Sequence, residues 1–166
     1  DPNGYYYFLN DHLYRHTNVK PENTHCPDVC APDLEAECQR YTRQIEQAGG
    51  LDLILLGIGR DGHIAFNMPG EALTLDAHVE HLSQETIRDN SRFFAKEEDV
   101  PTRAVSIGVG VILSARRIVV LVSGENKADI VADLMRRRVT TRNPASLLWL
   151  HPDVTLILDE AAASKL

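Results

Sequence analysis

The chain of 166 residues is predicted to form a single α/β domain, residues 1–166, built on a mainly parallel sheet. Its aliphatic run "LDLILLG" is too short and too apolar for a surface helix and fits a strand buried on both faces. Strand-like runs alternate with segments whose apolar residues recur at helical spacing, and this alternation indicates a parallel sheet. The length suffices to bury an ordinary core without a disulfide or a metal ion.

The first fifty residues are predicted to contain two helices joined by a loop. Asn3 is suited to cap a helix that runs to about His16. The stretch "TNVKPENTHCPDVCAP" is rich in Pro and Asn and predicts a loop. Asp33 then begins a second helix, "DLEAECQRYTRQIEQA", which Gly49 and Gly50 end.

The elements after "LDLILLG" alternate in type. We expect an edge strand at "AHVEHL", a helix at "ETIRDNSRFF", and a glycine-bounded turn into a short helix at "VSIGVGVILSA". They are followed by strand "RIVVLVSG", helix "ENKADIVADLMRRR", short helix "PASLLWL", strand "VTLILD" and a helical tail "EAAASKL". Because parallel strands end at the same edge of a sheet, the loops after them are expected to meet there.

Composition and charge exclude several classes of partner. The chain has 24 acidic against 17 basic residues, whereas proteins that bind nucleic acid need a basic face. No apolar run reaches the roughly 20 residues that span a bilayer, and the first residues do not have the order of a signal peptide, so we expect a cytoplasmic protein. Cys26, Cys30 and Cys38 are expected to be reduced thiols, and His25 beside Cys26 lacks the second ligand pair of a zinc site.

Two strand ends carry the residues that predict a ligand site. In "LGIGRDGHIAFNMPG", glycines that allow close backbone approach surround Asp61 and His63. In "VLVSGENKA", Lys127 falls in the first turn of a helix, where a cation opposes the helix dipole unless an anion shares the site. Both features indicate a phosphorylated ligand. Taken singly, the Asp–His pair, Lys127 and Arg92 are each equally compatible with ordinary surface charges.

Four separated motifs resemble those of the glucosamine-6-phosphate deaminase family. They are "GIGRDGHIAFNMPG", "DNSRFF", "VSIGVGVILSARRIVVLVSGENKA" and "LLWLHPDVTLILDEAA", in the family's order. The related 6-phosphogluconolactonases share the G-x-G-x-D-G-H core but follow it with a Thr-Ala-Ser-like segment, where this chain has "IAFN". The resemblance implies a Rossmann-like three-layer αβα fold. It also implies conversion of glucosamine 6-phosphate to fructose 6-phosphate and ammonia, an aldose–ketose isomerisation that needs no cofactor and no metal.

The resemblance implies roles for four residues. His63 would be the general acid and base that opens the sugar ring, and a histidine suits this step because its pKa lies near neutrality. Asp61 would be its partner in the site. Arg92 and Lys127 match the family's phosphate-binding positions, where a guanidinium and an ammonium can hold the dianion. The expected partner is therefore a phosphorylated amino sugar.

The chain departs from the family pattern at its start. Family members carry, before the segment that matches Asp1, a Gly- and Thr-rich phosphate loop and an Asp-Glu-Tyr motif. We therefore expect residues 1–166 to be the C-terminal two-thirds of the family domain, an incomplete version of the fold with negligible activity alone. Apolar sheet surface would then be uncovered, which favours self-association into a homo-oligomer.

A second departure lies in the catalytic loop. Met68 stands where the family motif "FNEP" has a glutamate that pairs with the catalytic histidine, and a thioether cannot hold or exchange a proton. The chemistry is then weakened, altered or lost. Two interpretations stay open: an enzyme of the deaminase family, or a non-catalytic sugar-phosphate-binding or structural remnant of its fold. Lactonase activity is a third interpretation, which "IAFN" disfavours.

The resemblance also bears on regulation. Some family members are activated by N-acetylglucosamine 6-phosphate through a small polar residue and two cations that follow the catalytic loop. The matching stretch here, "GEALTLDAHVEHL", places Glu71, His78 and Glu80 at those positions. Because carboxylates repel a phosphate, we expect no activation by this compound.

Overall fold

A computed structural model describes residues 4–166, apart from the side chains of Phe93 and Glu97. Its helices in the described range are α1 (Tyr5–His12), α2 (Leu34–Gln47), α3 (Gln84–Asn90), α4 (Val109–Leu113) and α5 (Ala128–Leu134). Its strands there are β1 (Leu53–Leu56), β2 (His78–His81), β3 (Arg103–Ser106), β4 (Arg117–Val122) and β5 (Val154–Leu158). Short 3₁₀ turns connect several of these elements.

The predicted α/β fold with a parallel sheet is confirmed. Strands β1, β4 and β5 form a three-stranded sheet in the order β1-β4-β5, with both pairs parallel. In the register, Leu56 lies opposite Val120, and Val122 lies opposite Leu158. The single-domain boundary at residues 1–166 stays a prediction.

One face of the parallel sheet carries the core. Alternate side chains of a strand point to opposite faces, and those on the core side are buried against α4, α5 and the 3₁₀ segment Pro144–Leu150. The core contains Ile54, Leu56, Ile118, Val120, Val122, Ile112, Val131, Leu134, Ala145 and Leu148. This packing fixes the edge of the sheet from which the functional loops extend.

The other face of the same sheet is exposed within the described residues. Leu53 and Leu55 of β1 are 57% and 62% exposed, and Leu121 of β4 and Ile157 of β5 are exposed beside them. The expectation that "LDLILLG" is buried on both faces is therefore wrong for this chain, because residues 4–166 cover only one face of β1. Self-association through the exposed face stays a prediction.

The N-terminal helix is shorter than expected. Helix α1 ends at His12, and Leu13, with φ −130° and ψ −63°, leaves the helical conformation before the 3₁₀ turn Tyr14–His16. Asn3, the expected cap, lies outside the described residues. Helix α1 has no buried residue, so the apolar stripe predicted for it packs against no core of the described chain.

Helix α2 follows the sequence prediction closely. The Asp33 carboxylate accepts a hydrogen bond of 3.0 Å from the backbone N–H of Ala36, and Gly49 and Gly50 follow the helix at φ +91° and +85°. Such positive φ angles cost a side-chain-bearing residue energy, so a glycine pair ends the helix here.

Several segments differ from their predicted elements, and the helix predicted at "ENKADIVADLMRRR" is a 3₁₀ turn, Glu125–Lys127, followed by α5, which ends at Leu134. Strand β2 at "AHVEHL" is confirmed, but it pairs with β3, a strand that the sequence pattern missed, in a separate antiparallel pair. The segment "VSIGVGVILSA" was expected to begin with a turn, yet its first two residues belong to β3, and α4 begins at Val109. The tail "EAAASKL" forms turns rather than a regular helix.

Candidate active site

A cleft of about 550 Å³ runs along β1 and into the loop that follows its carboxyl end. Three of the predicted site residues, His63, Arg92 and Lys127, line this cleft although they come from three separate segments. Asp61 and Met68 do not line it but lie close by in the same loop. The cleft is also lined by Gly57, Gly59, Phe66, Thr86, Asn90 and Ser106.

The loop after β1 is a tight turn built around glycine. The backbone N–H of Gly59 donates to the carbonyl of His63 at 2.9 Å, and the N–H of Gly62 donates to the carbonyl of Gly59 at 3.0 Å. A side chain at Gly59 would overlap the His63 ring and the Asp61 carboxylate, and Gly62 has a φ of +90°. Gly59 therefore makes room for the Asp–His pair, and Gly62 adopts a backbone conformation that favours glycine.

The pair itself has well-defined hydrogen bonds. One carboxylate oxygen of Asp61, Oδ1, lies 2.7 Å from Nδ1 of His63 and accepts a 3.1 Å bond from the His63 backbone N–H. Burial acts to raise the pKa of Asp61, but the hydrogen bonds from His63 and its charge outweigh burial, so the pKa is lowered. The ionised Asp61 keeps a proton on Nδ1 of the imidazole. The other ring nitrogen, Nε2, is then the atom that can exchange a proton with a bound ligand.

Lys127 bridges the two strand-end loops. It ends the 3₁₀ turn Glu125–Lys127 that precedes α5, and its Nζ donates a 2.8 Å hydrogen bond to the carbonyl of Ile58 in the loop after β1. Burial lowers the pKa of Lys127 below its usual value, and the charge of Asp89 opposes that effect. A half-buried ammonium has lost part of its hydration, which favours its pairing with an anionic ligand.

Arg92 reaches the cleft from the segment that follows β2. The Ser83 hydroxyl accepts a 3.1 Å bond from the Thr86 backbone N–H and so caps α3, after which the 3₁₀ turn Ser91–Phe93 carries Arg92. On α3, the buried Thr86 and the half-buried Asn90 line the same cleft. The motif "DNSRFF" thus delivers a guanidinium to the cavity that contains His63 and Lys127.

Met68 lies beside the cleft. Its sulfur is 3.9 Å from the hydroxyl of Thr86 on α3. The preceding residue, Asn67, is buried and donates hydrogen bonds of 2.9 Å to the carbonyls of Ile64 and Ile107. The end of this loop is therefore fixed, and Met68 is one of the residues through which the loop contacts α3.

Sequence reasoning missed Thr86 and Ser106. The hydroxyl of Ser106 accepts a 3.0 Å bond from the backbone N–H of Phe66 and donates a 3.0 Å bond to the carbonyl of Ile107, so it ties the catalytic loop to β3. A prediction of strand β3 would have pointed to Ser106 at its end, but the sequence pattern did not predict that strand. Thr86 lacks any motif of its own.

The described residues contain no group of three or more His, Cys, Asp or Glu side chains that could hold a metal ion. Cys26 and Cys30 are exposed thiols and Cys38 is a buried one. Within residues 4–166, no helix is long and apolar enough to cross a membrane.

Comparison with known proteins places this geometry among relatives. A family model described as glucosamine-6-phosphate isomerases/6-phosphogluconolactonase matches residues 1–157. The glucosamine-6-phosphate deaminase of Halothermothrix orenii is 49% identical over 165 residues, which cover 99% of this chain and 68% of the relative. The deaminase of Thermoanaerobacter pseudethanolicus is 47% identical over 163 residues, which cover 98% and 64%.

Solved structures give the same picture. A monomeric glucosamine-6-phosphate deaminase superposes with a TM-score of 0.98 at 42% identity, covering 100% of this chain and 69% of that one. A 6-phosphogluconolactonase from Thermotoga maritima, at 22% identity and a TM-score of 0.66, shares the fold. The chain spans about two thirds of the length of the deaminases that it matches, at 64% and 68% of the two named above.

Proposed function

Because the chain belongs to the glucosamine-6-phosphate isomerase/6-phosphogluconolactonase family, we propose that it carries the sugar-phosphate site of a glucosamine-6-phosphate deaminase. The family resemblance predicted from the motifs is thereby confirmed. Relatives named as deaminases are 45–49% identical over nearly the whole chain, whereas the lactonase of Thermotoga maritima is 22% identical. The reaction proposed is conversion of glucosamine 6-phosphate to fructose 6-phosphate and ammonia.

One observation carries the proposal: His63, held by Asp61, shares a single cleft with two cations, Arg92 and Lys127. A phosphorylated sugar has a dianion at one end and a reactive anomeric carbon at the other. A site for it needs cations at one end of the cavity and a group that moves protons elsewhere in it. A cleft of about 550 Å³ is in the size range of small-molecule sites.

Lys127 and Arg92 anchor the phosphate in this proposal. The ammonium of Lys127 is already partly desolvated and held by the carbonyl of Ile58, so little ordering is needed when the anion binds. The guanidinium of Arg92 can donate two parallel hydrogen bonds to phosphate oxygens.

His63 opens the sugar ring. Its Nε2 accepts the proton of the anomeric hydroxyl as the bond between the anomeric carbon and the ring oxygen breaks, and the imidazolium then donates that proton to the ring oxygen. The products of this step are the open-chain aldehyde and the neutral imidazole, so no proton is lost. Asp61 stabilises the imidazolium formed between the two transfers.

A non-catalytic sugar-phosphate-binding role is the second candidate, and Met68 is the observation that favours it. A glutamate in its place could share a proton with the site, whereas the thioether contacts the Thr86 hydroxyl and holds no proton. Both candidates need the phosphate anchor. They differ in whether His63 has a reaction to perform.

The test measures ammonia release and ligand affinity on residues 1–166 preceded by a family segment that supplies the phosphate loop and the Asp-Glu-Tyr motif, called the full-length polypeptide below, because negligible activity is expected of residues 1–166 alone. We expect release of ammonia from glucosamine 6-phosphate, and we expect His63→Ala to abolish release while fructose 6-phosphate still binds. His16→Ala, which removes an exposed histidine of the turn after α1, is the matched control and should leave both quantities unchanged.

The outcomes separate the candidates. Binding without ammonia release in the unsubstituted protein would overturn catalysis and support the binding role. Absence of both binding and release would overturn both candidates.

A further inference from the structure

Arg60 connects the catalytic loop to α3. Its side chain makes a two-pronged contact with Asp89: Nε donates to Oδ2 at 3.1 Å and Nη2 donates to Oδ1 at 2.7 Å. The same Nη2 lies 3.1 Å from Oε1 of Glu85, which is one helical turn before Asp89 on α3. One guanidinium therefore holds two carboxylates on one face of the helix.

The helix that Arg60 holds forms part of the cleft wall. Thr86, Asp89 and Asn90 of α3 all line the cleft, and Arg92 follows in the next turn. Arg60 itself lies in the tight turn between Gly59 and Asp61, so its backbone is fixed relative to His63. The ion pair therefore fixes the position of the phosphate-binding segment relative to His63.

Asp89 presents a difficulty for a site that takes a phosphate. A carboxylate in the lining of the cleft repels a dianion, unless a cation neutralises the carboxylate and keeps the carboxylate turned toward the cation. Arg60 makes two hydrogen bonds to that carboxylate. The charges of Asp89 and Arg60 both act on the pKa of Lys127, in opposite directions, which places both groups in the field of the anchor lysine.

We propose that Arg60 is a positioning residue for phosphate binding: it fastens α3 to the catalytic loop and shields the phosphate from the Asp89 carboxylate. The proposal rests on the proposed function, in which the cleft binds a sugar phosphate. Arg60 does not touch the reacting atoms. It acts through Asp89 and Glu85, so its removal weakens substrate binding while leaving the chemical step in place.

The experiment compares Arg60→Gln, Arg60→Lys and the double variant Arg60→Gln/Asp89→Asn in the full-length polypeptide. For Arg60→Gln we expect KM for glucosamine 6-phosphate to rise roughly 3- to 10-fold, the scale of a networked surface ion pair, with kcat within about two-fold. Arg60→Lys should recover part of the loss. Asp89→Asn should recover part of it in the Arg60→Gln background, because it removes the exposed repulsive charge.

The matched control is Arg117→Gln. Arg117 makes a similar exposed pair, 2.9 Å from Asp153, at the end of β4 away from the cleft, and its loss should leave KM unchanged. The dissociation constant of inorganic phosphate is measured in parallel and should rise by the same factor as KM. A protein without turnover would therefore contradict the proposed function while still testing Arg60.

Three results would overturn the assignment. They are an unchanged phosphate affinity in Arg60→Gln, a fall in kcat at constant KM, and an Asp89→Asn substitution that adds to the Arg60→Gln defect instead of relieving it. The last result would mean that Asp89 supports binding independently of Arg60 and does not repel the phosphate.

Discussion

The proposed catalytic loop, residues 57–68, and the segment of residues 83–93 hold their side chains in different ways. The loop is fixed by backbone hydrogen bonds and by contacts too close to admit a side chain at Gly59, and it contains the buried Ile58 and Ile64. The segment, although Thr86 and Ile87 are buried, is tied to the loop by exposed side chains, chiefly Arg60 with Asp89. The comparison teaches that His63, the proposed proton-transfer group, is rigidly placed, whereas the segment that carries the proposed phosphate ligand Arg92 is held by exposed side-chain contacts.

Of the substitutions that compare the two regions, Gly59→Ala should reduce turnover the most, because it disturbs the rigidly held loop. The new methyl group would overlap the His63 ring and the Asp61 carboxylate, so the imidazole must move. We expect turnover to fall about 10²-fold or more, as misplacement of a catalytic group by about 1 Å can do. Gly70→Ala is the control, since its methyl group would meet its nearest neighbour, the Ala72 carbonyl, at 3.4 Å. Steady-state kinetics of both variants measure this effect on turnover. Near-normal turnover in Gly59→Ala would show that the loop is not rigid.

Lys127→Met should weaken substrate binding more than Arg92→Met does. Lys127 is half-buried and bonded to the carbonyl of Ile58 in the rigid loop, whereas Arg92 lies on the segment that exposed side chains hold. We expect KM to rise roughly 10- to 100-fold for Lys127→Met, since a hydrogen bond to a charged group contributes about 1.5–3 kcal/mol. Lys165→Met removes an exposed lysine that pairs with Asp129 at 2.6 Å and serves as control. Equal KM values for the Lys127 and Arg92 variants would contradict the distinction between the rigid loop and the segment that carries Arg92.

Met68→Glu sharpens the comparison at the contact between the two regions. A carboxylate beside Thr86 should favour the protonated form of His63 and raise kcat by up to ~10²-fold, the lower end of what one positioned acid or base contributes. The gain should vanish in the double variant with His63→Ala. Met135→Glu, at an exposed methionine, is the control. An unchanged kcat with a lower thermal midpoint would instead identify Met68 as a packing residue and favour the non-catalytic role.

Acid unfolding tests the smallest effect, the contribution of Asp61 to stability. Hydrogen bonds from His63 lower the pKa of Asp61 in the folded protein, so its stabilisation is present above the ordinary Asp pKa and is lost as pH falls through the folded pKa. The free energy of unfolding should therefore fall less steeply below about pH 4 in Asp61→Asn than in the unsubstituted protein. Asp52→Asn, at an exposed pair with Arg116, should leave the slope unchanged, and an identical slope in Asp61→Asn would refute the assignment.

Much of this site could be predicted from the sequence because local patterns fix it. Asp61 and His63 stand in one short motif after a strand, and Lys127 follows another strand of the same sheet, so parallel topology brings them together. Arg92 came from family resemblance alone, since a lone arginine in "DNSRFF" has no local signal. The roles of the other residues depend on contacts across the fold.

Those contacts across the fold explain which structural features could not be predicted from the sequence. Strand β3 is four residues long and alternates poorly, so Ser106 was assigned to a turn. Leu53 and Leu55 look like core residues, yet their exposure depends on which layers of the fold residues 4–166 include. The link between Arg60 and Asp89 joins positions 29 residues apart, and no periodicity records it.

Ammonia release from glucosamine 6-phosphate, measured beside glucosamine at equal concentration on the full-length polypeptide, tests the central claim most directly. The claim is that one cleft holds both a phosphate anchor and a ring-opening histidine. We predict release from the phosphorylated sugar only, and its loss in both His63→Ala and Lys127→Met at substrate concentrations near the normal KM. Equal release from the two sugars, or full release in His63→Ala, would contradict the account.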